Sequence, residues 1–163
     1  MKKQKGFSLI ELLIVVAIIL IIAAIAIPNL MRSKMAANES SAVGSLRTIN
    51  TAMVTYSTTF PSIGYSANLG SLGNAGATTP CTSNQAAVST ASCLIDSVLA
   101  SGTKSGYVFT ATAGATVPAV TYTSSATPQA PNQSGTRYFC SDQSGVIYFN
   151  LTAACTSANG TPL

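Results

Sequence analysis

The polar and apolar positions divide the start of the chain sharply. Residues 1–6 read MKKQKG, short and basic, and residues 7–27 read FSLIELLIVVAIILIIAAIAI, with sixteen apolar residues in unbroken succession from 12 to 27. As a helix, the 21 residues of the second stretch extend about 31 Å, close to the ~30 Å hydrocarbon core of a bilayer. Inside that core every backbone polar group must be bonded within the segment, which predicts a membrane-spanning helix. The many β-branched residues do not oppose it, because the surroundings override weak intrinsic propensity. A cleaved secretory signal is the competing reading, and Ala24-Ile25-Ala26 fits its small-x-small cleavage pattern. Against it, the apolar run is too long, and Glu11 lies inside the segment. A plain membrane anchor is the other simple reading.

The pattern then changes period. Pro28 lacks an N–H and predicts a kink or melted stretch near residues 24–28. Beyond it Val43, Leu46, Ile49, Met53, Tyr56 and Phe60 recur every three or four residues, with Ser45, Arg47 and Asn50 between them. That is one apolar stripe on a helix, weakened at Gly44 by up to about 1 kcal/mol. One helix is expected from about residue 7 to 60, half in the membrane and half packed on a head domain beginning near Pro61.

In the head, residues 61–80 are rich in Gly, Ser, Ala and Asn and read as loop. Residues 91–101 read as a short helix stopped at Gly102. Residues 106–112 and 119–124 form one predicted hairpin, and 137–140 and 146–150 another. The expected fold is therefore α+β: a long N-terminal helix, transmembrane in its first half, packed on a small four-stranded antiparallel sheet. The expected segments are 1–6, 7–28, 29–60 and a head of 61–163, the last divided into a helix-and-loop part (61–105), a sheet (106–150) and a C-terminal disulfide loop (140–155).

Composition narrows the function. Charged residues are 7% of the 163-residue chain, against about a quarter in ordinary globular proteins. There is no histidine, which excludes His-based catalytic pairs and His metal sites. No nucleophile–base pair or metal cluster stands out, so neither an enzyme nor a cofactor or metal is expected. The formal charge of +4 is concentrated at the N-terminus in Lys2, Lys3 and Lys5; the charges after residue 60 are Asp96, Lys104, Arg137 and Asp142, which cancel. No basic face is left for strong nucleic-acid binding. The leading lysines favour a cytoplasmic N-terminus, against only Arg32 and Lys34 beyond the apolar run. Four cysteines allow three pairings, with Cys81–Cys93 and Cys140–Cys155 favoured because each closes a short loop. Disulfides fit an exported head.

Glu11 carries the most information. A carboxylate deep in a bilayer costs about 2.5–3.5 kcal/mol and is functional by default. The string Lys5-Gly6-Phe7-Ser8-Leu9-Ile10-Glu11-Leu12, followed by the apolar run and Pro28, resembles the processing site of type IV pilins. The resemblance covers about 30 residues and is one of architecture beyond them. It implies that a prepilin peptidase cuts between Gly6 and Phe7 and methylates the Phe7 amine. It further implies that the subunit waits in the inner membrane with its head in the periplasm, and that an assembly machine moves it into a homo-oligomeric helical filament, a surface pilus. Glu11 would pair with the Phe7 amine of a neighbouring subunit. In an apolar filament core such a pair meets little competing water, and a misplaced subunit would leave a buried charge unpaired. The pair would therefore set register. The Cys140–Cys155 loop is similar to the C-terminal disulfide loop of many pilins. Adhesion, twitching motility and DNA uptake are the family's roles.

Other signals have plainer readings. Seven of the eleven aromatic residues fall in the predicted strands, where they read as a sheet face packed on the helix. Residues 142–145 read as a turn rather than a calcium loop, because one carboxylate is too few. Asn38, Asn132, Asn150 and Asn159 each begin an N-x-S/T triplet, which predicts little in a bacterial setting. The rival functions are a type II secretion pseudopilin and, from another class, a membrane-anchored periplasmic binding domain.

Overall fold

The computed structural model describes residues 8–74, 81, 87–152 and 154–163. Helix α1 runs Leu9–Thr59, and the chain forms two compact units, Met1–Lys34 and Met35–Leu163. In the first unit α1 is helical through Pro28, so no melted turn interrupts it. A proline removes one backbone donor, and the bonds around it suffice to carry the helix on.

In the second unit α1 supplies the predicted stripe. Leu46, Ile49, Met53 and Tyr56 are buried, joined by Ala42 and Ala52, while Val43 and Phe60 are half-buried at its margins. The stripe packs on strands β2 (Tyr107–Ala113), β3 (Tyr122–Pro128), β4 (Tyr138–Asp142) and β5 (Ile147–Asn150). Each strand is antiparallel to the next in a meander. In β2, Tyr107, Phe109 and Ala111 point to the core and Val108, Thr110 and Thr112 away from it, the period-2 signature of a half-buried strand. Of the seven strand aromatics, Tyr107, Phe109, Tyr122 and Phe139 are buried, and Tyr138, Tyr148 and Phe149 are half-buried.

Three expectations need correction. The sheet has six strands rather than four, because the two-residue strands β1 (Thr103–Lys104) and β6 (Thr161–Pro162) add one edge each. The third strand begins at Tyr122 instead of residue 119 because Ala119 is bonded elsewhere: its N–H donates to the Ile63 carbonyl at 2.8 Å, and its own carbonyl accepts from Tyr65 at 3.0 Å. Gly64 permits this approach, since it has a φ of +82° and any Cβ there would overlap the Ala119 backbone. Finally, the helix expected over 91–101 shrinks to α3 (Ser97–Ala100), capped by Asp96. The residues before it spend their N–H groups outside a helix. Ser92 donates to Ser71, Cys93 to Gly73, and Leu94 and Ile95 to Leu72, along a second short helix, α2 (Leu69–Leu72), in what was read as loop. Gly102 ends α3 as expected, with a φ of +84°.

Candidate functional site

The first turn of α1 follows from a local rule. A Ser followed three residues later by Glu is a helix-start signature, in which the carboxylate reaches back to a free backbone donor. Here the Ser8 N–H donates to Glu11 Oε2 at 2.9 Å, and Leu12 donates to the Ser8 carbonyl at 3.2 Å. The carboxylate thus sits at the positive end of the helix, where an anion is favoured. Gly6 and Phe7, the expected cleavage and methylation residues, lie outside the described residues.

From Leu9 to Ile22 every side chain is exposed, on all sides of the helix. A helix apolar all round is stable only when surrounded, by lipid or by other apolar helices. Among the described residues it is the one helix long and apolar enough to cross a membrane. Within Leu9–Ile22 the one ionisable side chain is Glu11.

The second unit fixes its half of α1 to the sheet by polar contacts that the sequence did not reveal. Asn50 and Ser45, placed between the members of the stripe, are buried. The Asn50 amide donates to Ser141 Oγ at 2.8 Å and to the Gly145 carbonyl at 3.4 Å, while Ser124 Oγ donates to Asn50 Oδ1 at 3.5 Å. About three turns earlier on α1, Glu39 Oε1 accepts from the N–H and hydroxyl of Thr136 at 2.8 and 2.9 Å, and Glu39 Oε2 lies 3.5 Å from Arg137 Nε. The Arg137 guanidinium also covers the Phe149 ring at 5.2 Å. Asn38, one of the N-x-S/T residues, donates to the Ser134 carbonyl at 2.8 Å. The one available signal was scarcity: in a head with so few charges, an isolated Glu39 and Arg137 are natural partners. Burial pushes the Tyr107 hydroxyl well above its ordinary value and that of Tyr122 to about 12, so both stay neutral; Tyr107 donates to the Arg137 carbonyl at 2.9 Å.

Both favoured cysteine pairs are bonded, Cys81–Cys93 and Cys140–Cys155, and no described cysteine is free. The second spans 15 residues and fastens β4 to the segment that follows β5. Residues 142–145 form the expected turn, with the Ser144 N–H and hydroxyl donating to Asp142 Oδ1 at 2.9 and 2.6 Å. Those bonds hold the Asp142 carboxyl below the usual carboxylate range.

Residues 1–27 match the family model of the prokaryotic N-terminal methylation motif. The chain is 58% identical over 40 residues to the type IV wide pilus major component PilA4 of Thermus thermophilus, covering 24% of this chain and 30% of that protein. It is 46% identical over 54 residues to the type IV major pilin protein PilA of Myxococcus xanthus, covering 33% and 24%. It is also 37% identical over 54 residues to the type II secretion system core protein G of Escherichia coli, covering 33% and 37%. The matches therefore span about a quarter to over a third of those relatives' lengths. No solved structure matches. Residues 1–27 thus match a methylation motif, and the chain is similar to type IV pilins.

Proposed function

We propose that this chain is the structural subunit of a type IV pilus, cut between Gly6 and Phe7, N-methylated on Phe7, and polymerised through its apolar helix. The observation that carries the reading is an all-round apolar helix with one acid near its start, under a matching methylation motif. Before assembly the helix spans the inner membrane with the head in the periplasm; afterwards it packs among identical helices in a filament on the cell surface. In this reading Glu11 meets the Phe7 amine of a neighbour and sets register, a kink near Pro28 adapts the helix to the filament, and the subunit binds and bears force without catalysing a reaction. Prepilin peptidase and the assembly machinery are its partners.

A type II secretion pseudopilin has support of its own, because the chain is also similar to the Escherichia coli core protein G over 54 residues. The two disulfides favour the pilin, since many pseudopilins lack them and carry a calcium loop. Deleting the gene separates the two. The pilin reading predicts loss of surface pili with secretion intact; loss of secretion with pili intact contradicts it.

A further inference from the structure

The unit Met35–Leu163 carries six charged side chains: Glu39, Arg47, Asp96, Lys104, Arg137 and Asp142. Four are paired internally, Lys104 with Asp96 at 2.9 Å and Arg137 with Glu39 at 3.5 Å. One cation, Arg47, and one anion, Asp142, have no ion-pair partner among the described residues. In a head so poor in charge, a lone cation and a lone anion are a complementary pair awaiting a second copy.

Their placement favours contact between copies. Arg47 stands on α1 and lines an open groove of about 580 Å³ with Val43, Phe139 and Leu163. Asp142 is on the opposite side of the sheet. In β4, Phe139 and Ser141 face the helix, Ser141 bonding Asn50, so Cys140 and Asp142 face away from it. There Asp142 lines a recess of about 250 Å³ with Thr110, Thr123, Ser125, Thr156 and Ser157, beside the Cys140–Cys155 disulfide. The recess offers one carboxylate ringed by hydroxyl oxygens, and no lysine or arginine is among the described residues that line it. A guanidinium has five N–H donors in a planar fork and no acceptor, the complement of such a site.

We propose that Arg47 of one copy enters the Asp142 recess of the next, so that the groove side of one head packs on the outer sheet face of its neighbour. Two different faces meeting make a head-to-tail contact, and head-to-tail contacts that do not close into a ring build open helical polymers. The inference rests on the pilin reading and adds to it the residues that set the orientation of neighbouring heads. The contact differs from the Glu11 pairing in the helical core, since it lies between heads.

The test is charge reversal in the full-length chain, reading the yield of sheared surface filaments. Arg47→Asp and Asp142→Arg should each lower the yield about tenfold, the low end for close charge pairs across an interface. The double variant should recover most of it. Unchanged thermal melting of each detergent-solubilised variant separates lost assembly from lost folding, and the milder Arg47→Gln and Asp142→Asn replace any reversal that melts early. Wild-type yield from both single variants, a double variant no better than either, or rescue of Asp142→Arg by Arg32→Asp instead would overturn the pairing while leaving the pilin reading in place. A wild-type chain that forms no filaments would overturn both.

Discussion

The two ends of helix α1 obey different rules. From Leu9 to Ile22 every side chain is exposed, and all but Glu11 are apolar. From Ala42 to Tyr56 a single face is buried, and Asn50 and Glu39 fasten it to the head by hydrogen bonds. A sheet can satisfy one stripe of a helix but never its whole circumference. One regular element therefore serves two purposes: half completes a fold, and half needs a membrane or a bundle of its own kind.

Substitutions confined to one half should leave the other untouched. The largest effect is expected at Glu11→Ala, which should leave cleavage after Gly6 largely intact but abolish most filament assembly, read as processed subunit retained in the membrane fraction. Normal piliation would remove the register role. In the other half, Leu46→Ala empties a fully buried position and should destabilise the head by about 2–5 kcal/mol, measured by denaturant unfolding, with processing at Phe7 unaffected. Replacing Cys140 and Cys155 together by Ser opens a 15-residue loop and should cost about 3 kcal/mol on the chain-entropy account, read as a lower melting temperature. Asn50→Ala removes the bonds to the Ser141 and Ser124 hydroxyls, which keep the Val146 and Ser141 carbonyls as acceptors, and should cost about 1 kcal/mol.

The smallest effect is a pH dependence confined to the head. The Leu99 N–H and then Lys104 hold the Asp96 carboxyl below its ordinary range. A carboxyl whose folded value is depressed binds its proton less readily folded than unfolded. Its contribution is full above about pH 4, the unfolded value, and is lost as pH falls through the lower folded value. Asp96→Asn keeps the cap but removes the charge, so it should flatten this acid limb slightly while changing stability little at pH 7. An unchanged acid limb would show that the exposed pair contributes nothing measurable.

Much of this was legible because the signals are local. The apolar run, Glu11 within the string from Lys5 to Leu12, and the stripe through Leu46, Ile49, Met53 and Tyr56 are properties of neighbours in sequence, as is the Ser8–Glu11 spacing, which was not read there. So were the strand holding Tyr107, whose alternation is intact, and the strand holding Phe139, although Phe139, Cys140 and Ser141 are buried in succession. The missed features join residues far apart. Asn50 read as surface because nothing near it in sequence announces Ser124 or Ser141. Ala119 read as strand because its alternation fits, and only its bonds to Ile63 and Tyr65 remove it. Residues 92–95 are apolar enough for a helix, yet they fill the backbone acceptors of a helix twenty residues earlier.

The central claim is that the apolar half is cut free of its basic start and then buried among copies of itself. Mass spectrometry of the N-terminus of sheared surface filaments tests it most directly. The account predicts N-methylated Phe7 as the first residue. Intact Met1 with residues 1–6 still attached, or a chain beginning at Ile27, would contradict it.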